Sequence, residues 1–195
     1  MIGATLVTAL ALMCVGFQEG KSNGDEVSKL LDQAKAEFEA RHVDAAIALY
    51  TRVIELDPRN VKAYRGRGGV YALPTRKDSD KAIADYAKAI ELYPQYQFAL
   101  RSLAWIRAVC PDATFRDGPR AVELATKACE LSKWQDAHTI QILAAAYGET
   151  GDFVKAAEWQ EKANGLFSQE ADKQQGAELL DFYRAKQQKR EGPVE

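Results

Sequence analysis

Hydrophobic residues recur along this chain in a pattern written twice. Ala82, Ile83, Tyr86, Ala89, Ile90 and Leu92 fall mostly three and four residues apart and are closed by Pro94; Ala46, Ile47, Tyr50, Val53, Ile54 and Leu56 repeat the arrangement 36 residues earlier and are closed by Pro58, with eight of thirteen positions identical. Spacings of three and four place these side chains on one wide stripe of an α-helix. Proline, which lacks an N–H, stops each helix at the same point. Upstream of the second copy, Tyr64, Gly68 and Tyr71 mark another helix. The alternation continues with Leu100, Leu103 and Ala104, then Ala121, Ala125 and Ala128, then Ile140, Leu143, Ala144 and Tyr147, then Ala156 and Ala163. Between helices lie LPTRKDSD, CPDATFRDGP and TGDF; in the second of these, Asp117 is placed to cap a helix whose first turn contains Pro119.

Paired helices about 34 residues apart, with a small residue midway along the first and a proline after the second, resemble the tetratricopeptide repeat. The stretch from Val61 to Tyr96 carries the resemblance best, through Tyr64, Gly68, Tyr71, Ala82, Tyr86, Ala89 and Pro94. The resemblance implies an all-α fold, a right-handed α-solenoid of about four antiparallel helix pairs spanning residues 27–60, 61–96, 97–136 and 137–168. In the first unit, where Leu30, Ala34 and Phe38 pack, Arg41 replaces the expected turn glycine. Leu179, Leu180 and Tyr183 give residues 169–187 the pattern of a capping helix, which covers the open apolar end of such a stack; residues 188–195 read as a flexible tail. CPD, FRDG, AVELATKACEL and the residues following them to Ala163 are similar to a group of bacterial tetratricopeptide proteins with the same inserted loop, and that likeness implies no chemistry.

The first seventeen residues carry no charge. An apolar run of about fifteen residues is short for a membrane span, which needs about 20, and suits a secretory signal. Residues 1–26 therefore read as a signal or anchor segment with a short linker, and the chain as exported, periplasmic or extracellular. Retention of the segment as an anchor and lipidation at Cys14 stay open. A net charge of −2, from 28 acidic and 26 basic residues, offers no general attraction to nucleic acid. Cys110 and Cys129 form no C-x-x-C pair, and about ten helical residues between the start of a helix near Pro119 and Cys129 argue against a bridge between them. Two buried thiols are expected.

In a stacked solenoid the first helices of successive pairs line a concave surface. Positions off their packing stripes are Lys35 and Phe38, Lys62, Arg65 and Gly69, Phe98, Arg101 and Trp105, and His138 and Gln141. Such a basic surface with interleaved aromatics suits a protein or peptide with acidic or C-terminal carboxylate groups, held by Arg65 and Arg101, with an apolar side chain on Phe98 or Trp105. The chaperone-binding members of the family use lysine and asparagine at positions that here hold Leu31, Lys35, Gly66, Phe98 and Ser102, so that partner class is not expected. Catalysis, metal and cofactor are not expected either. The two histidines, His42 and His138, have no partners in sequence, and the glycines from Gly66 to Gly69 follow no strand and precede no G-K-[ST], so they read as helix-packing glycines. The expectation is a non-catalytic interaction scaffold, the alternative a membrane-anchored structural subunit of an envelope complex. Cell fractionation with N-terminal sequencing separates them: a soluble chain beginning near Phe17 is expected, whereas an intact N-terminus retained in the membrane selects the anchored subunit.

Overall fold

The computed structural model describes residues 23–191 apart from residue 77. The expected signal or anchor segment, residues 1–17, lies outside the described residues. Among these the chain is entirely helical: α1 (residues 23–39), α2 (Val43–Leu56), α3 (Val61–Tyr71), α4 (Ser79–Leu92), α5 (Gln97–Val109), a 3₁₀ turn (Ala113–Phe115), α6 (Gly118–Leu131), α7 (Ala137–Thr150), α8 (Phe153–Asn164) and α9 (Glu170–Glu191). Each described helix packs against its neighbours in the chain, and α5 also lies along α7. The architecture is an all-α solenoid of four helix pairs and a terminal helix. No described helix is long and apolar enough to cross a membrane.

Small side chains set the spacing. Ala34, Ala46, Ala63, Ala82, Ala89, Ala104, Ala125, Ala144 and Ala163 are all fully buried, while Tyr50 and Tyr86 insert rings between helices. α3 sits between both tyrosines and meets each with a glycine. A Cβ at Gly66 would overlap the Tyr50 ring, and one at Gly68 would lie 3.1 Å from the Tyr86 ring. The glycines of GRGG are thus packing residues, one for the preceding pair and one for α3's own partner. Between them Arg67 binds Asp85 of α4 through two hydrogen bonds of 2.8 Å and Thr51 of α2 at 3.0 Å, tying three helices together through a pair largely shielded from water. The core is correspondingly serial: separate clusters at Ala34 to Val70, at Ala82 to Phe167 and at Ala144 to Tyr183 follow one another along the axis.

Two of the turns within pairs share a left-handed residue. Gly151 has φ 79° after α7, and the Asp152 N–H reaches back to the Tyr147 carbonyl at 3.0 Å. After α1 the same closure is made by Arg41, φ 66°, with the His42 N–H on the Glu37 carbonyl at 2.9 Å. The missing glycine therefore changes the residue and leaves the turn intact. His42, expected to stand without a partner, also places Nδ1 2.7 Å from Glu37 Oε2.

The terminal elements extend beyond their expected limits. α1 begins at residue 23, inside the expected linker, and α9 continues to Glu191, so residues 188–191 are helical where a flexible tail was expected. The run AKQQKRE consists of strong helix formers and holds no breaker before Gly192 and Pro193. α9 closes the stack as expected: Leu180 and Tyr183 are buried, and Tyr183 fits against Gly148, where a Cβ would lie 3.0 Å from its ring. Cys110 and Cys129 are free and buried.

The left-handed conformation costs a side-chain-bearing residue about 1–2 kcal/mol, part of which returns as the extra flexibility glycine has when unfolded. Arg41→Gly is therefore expected to raise stability by about 0.5–1 kcal/mol and Gly151→Ala to lower it by about 1 kcal/mol, both measured by urea unfolding.

Candidate partner-binding groove

Phe98, Arg101 and Trp105 are spaced three and four apart and share one face of α5. Phe98 is 48% exposed and Trp105 49% exposed, so neither ring fills the core. The opposite face, through Leu100, Leu103, Ala104 and Ile106, carries the packing. Facing α5, α3 presents Lys62 and Arg65, both exposed. The guanidiniums of Arg65 and Arg101 each stand 5.5 Å from the centre of the Phe98 ring. A ring between two cations is an electron-rich platform that holds both near the surface. Arg65 and Lys62 make no ion pair among the described residues.

Arg101 is additionally fixed from the next pair. Its Nη1 donates to Asp136 at 3.1 Å, and Asp136 caps α7 by accepting from the N–H groups of His138 and Thr139 and from the Thr139 hydroxyl at 2.7 Å. Burial pushes the Asp136 carboxyl up, but the Thr139 hydrogen bonds and the Arg101 guanidinium outweigh it and leave the group below its ordinary value. Behind Arg65, burial raises the phenols of Tyr50 and Tyr86; the cation pulls both back in part, and at Tyr86 a hydrogen bond with Ser102 does so more strongly.

The other expected groove residues divide. Lys62 and Gly69 lie on the same stripe of α3 as Arg65. Gln141 leaves its Nε2 buried without a hydrogen-bond partner. His138 is exposed, 5.3 Å from the Phe167 ring and 3.9 Å from Asp172 of α9, a neighbour that sequence separation conceals. Lys35 pairs with Glu39 at the surface, and Phe38 packs against the N-terminal core, so α1 contributes little to the surface around Phe98. Asp78 accepts hydrogen bonds from Arg76 and Lys81.

Two features were not foreseen. In the turn after α6, Trp134 stacks on Trp159 of α8 with ring centres 4.9 Å apart, and Lys162 Nζ stands 3.8 Å from the Trp159 ring centre. At the far end of the Phe98 face a cavity of about 620 Å³ opens between Ala72 to Ser79 and Trp105 to Phe115. Among the described residues no cluster of histidine, cysteine, aspartate and glutamate is arranged to hold a metal ion.

A ladder of paired helices in series agrees with known proteins. Residues 31–97 match the family profile of the tetratricopeptide repeat. The fold is a tetratricopeptide solenoid. Similar solved structures include YrrB, described as a TPR protein with an unusual peptide-binding site, at 18% identity over 89% of this chain and 86% of that one, TM-score 0.65. MamA is similar at 18% identity over 88% and 97%, TM-score 0.61, and Pseudomonas aeruginosa pilF at 15% identity over 84% and 72%, TM-score 0.67. At these identities the likeness is one of fold, and in this chain's tetratricopeptide solenoid the Phe98 face is carried by consecutive first helices.

Because the folded Asp136 carboxyl titrates below the unfolded value of about 3.9, its contribution is complete above that pH and fades as pH falls through the folded value. The stability difference between wild type and Asp136→Asn, which keeps a competent cap, is expected to be widest above about pH 5 and to close toward about pH 3. Asp136→Ala is expected to lose about 1 kcal/mol more through the missing cap, read from urea unfolding at pH 7.

Proposed function

We propose that this chain is a protein-interaction scaffold whose first-helix surface binds an extended peptide, seating a carboxylate between Arg65 and Arg101 beside the Phe98 ring. The observation that carries this reading is Arg65. It is a cation with no ion-pair partner among the described residues, held over a half-exposed aromatic ring and 5.5 Å from its centre. Most other arginines of the solenoid are engaged by carboxylates, as Arg67 is by Asp85, Arg76 by Asp44 and Arg116 by Glu149. A carboxylate arriving at Phe98 would meet Arg65 free to pair and Arg101 already oriented by Asp136, so little side-chain freedom is lost on binding. Gln141, with an unsatisfied amide donor on the adjacent α7, adds a hydrogen-bonding group that a peptide carbonyl could satisfy after a side-chain rotation.

Carboxylate preference follows from the sign of the surface rather than from the whole molecule, whose net charge is −2. Lys62, Arg65 and Arg101 concentrate positive charge on this face, which attracts an acidic segment locally and loses that attraction as salt screens it.

Titration calorimetry with acidic peptides is expected to show binding that weakens at least tenfold in an Arg65→Ala, Arg101→Ala double variant, about 1.4 kcal/mol or more, and that declines with added salt. Equal affinity for both proteins would remove this surface from consideration.

A further inference from the structure

The cavity beyond Trp105 exists because two turns are longer than the repeat requires. Both join the first helix of a pair to the second, α3 to α4 and α5 to α6, so both emerge at the same edge of the solenoid and face each other there. α3 and α5 meet at few positions, in contrast to α5 and α7. The space between their C-terminal ends is walled by Leu73, Pro74, Ile106, Val109 and Phe115, with the exposed Trp105 at its mouth. The wall contributed by the α5–α6 turn is held in place. Arg107 donates to the Phe115 carbonyl at 3.0 Å, Arg116 to the Cys110 carbonyl at 3.0 Å, and the Asp117 N–H to the Arg107 carbonyl at 2.8 Å. Asp112 at the rim is engaged by the Thr114 N–H and hydroxyl. A cavity of about 620 Å³ with apolar walls and a fixed frame falls within the roughly 300–1,000 Å³ typical of ligand sites.

Trp105 and Ala72 tie the cavity to the groove. Trp105 ends the stripe that starts at Phe98 and Arg101, and Ala72 ends the stripe of Lys62, Arg65 and Gly69. We propose that this cavity is the specificity subsite of the groove and takes a large apolar side chain, aromatic or branched aliphatic, two residues from the carboxylate that Arg65 and Arg101 hold. The register is geometric. Arg101 and Trp105 are four residues apart, about 6 Å along a helix, and side chains two apart in an extended segment are spaced by about 6.6 Å and point the same way. The occupant is chosen by charge: unpaired Arg65 and Lys62 beside an apolar cavity select a segment that is acidic and then apolar. This inference rests on the groove reading.

The test uses the intact chain and two blocked seven-residue peptides of glycine with a glutamate at the third place. One carries phenylalanine at the fifth place and the other glycine. Affinities are measured for wild type, for Arg65→Ala, Arg101→Ala, and for Ala72→Trp, which fills the cavity from an exposed position. In parallel, alkylation of Cys110, which lines the cavity, is followed by peptide mapping; Cys129 is an internal control because burial pushes its thiol up to about 12. The expected result is at least tenfold tighter binding of the phenylalanine peptide to wild type, no preference between the two peptides in Ala72→Trp, and slower Cys110 alkylation with the phenylalanine peptide alone. Equal binding of both peptides to wild type, still lost in the arginine double variant, would overturn the subsite and leave the groove. Binding of neither peptide would overturn the groove and the subsite with it. Cys110 shielded before any peptide is added, and exposed on removal of residues 1–22, would overturn the subsite in favour of the chain's own apolar segment.

Discussion

Close approach of helices is the constraint on which this molecule depends. Each pair meets the next across fully buried alanines, and a tyrosine ring fills what the alanines leave open. The backbone of α3 runs between two such rings and tolerates no side chain at Gly66 and little at Gly68. A single helix pair could not hide this surface, since its apolar faces lie on both sides. Only stacking in series buries them, and the three main core clusters, successive along the axis, are the physical trace of that necessity. The buried Arg67–Asp85 pair fits the same logic. It adds directional bonds where the helices are already close, and removal of either partner would strand a charge with little access to water.

Packing of this kind decides which side chains are left for recognition. The stripe of α5 that binds its neighbours uses Leu100, Leu103 and Ala104, and what remains is Phe98, Arg101 and Trp105. Large aromatic groups half in water are costly to expose, and Phe98 and Trp105 both stay so on this face. The two arginines lower that cost for Phe98 by standing over its ring, while among the described residues no cation stands over Trp105. The tetratricopeptide architecture thus produces a surface, while the particular residues on it choose the partner; fold alone would not.

The periodic part of the structure was legible because packing requires it. Tyr50 and Tyr86, Pro58 and Pro94, and the alanine positions announce helix pairs at a fixed interval, and Asp117 caps α6 as its spacing suggested, with its side chain accepting the Arg120 N–H at 3.0 Å. Phe98, Arg101 and Trp105 came together for the same reason, as positions off the stripe. Phe38 fell short because α1 has a packed neighbour on only one side of the stack among the described residues, and its aromatic ring completes the N-terminal cluster. Contacts between helices distant in sequence left no such trace. Arg67 to Asp85 depends on the exact packing within a pair, and His138 to Asp172 and the Trp134–Trp159 stack on packing from one pair to the next element, none of which periodicity encodes. The end of α9 was missed because helix propensity carried on past the last packed residue.

The cavity lies between these extremes. Extra residues in LPTRKDSD and CPDATFRDGP are visible in the chain, and the repeat pattern already places both turns at the same edge, because every turn from a first to a second helix emerges there. Two insertions in adjacent pairs must therefore either collide or separate the helices that carry them. Here α3 and α5 stand apart while α5 and α7 stay close, and the space is framed by a turn that the Arg107 and Arg116 guanidiniums hold through the Phe115 and Cys110 carbonyls. Insertion in a loop is inexpensive in chain entropy, but an apolar void of this size forfeits the contacts its walls would otherwise make. The solenoid keeps that void beside Trp105 at a loss of stability, and an apolar side chain entering it, as proposed above, would offset that loss.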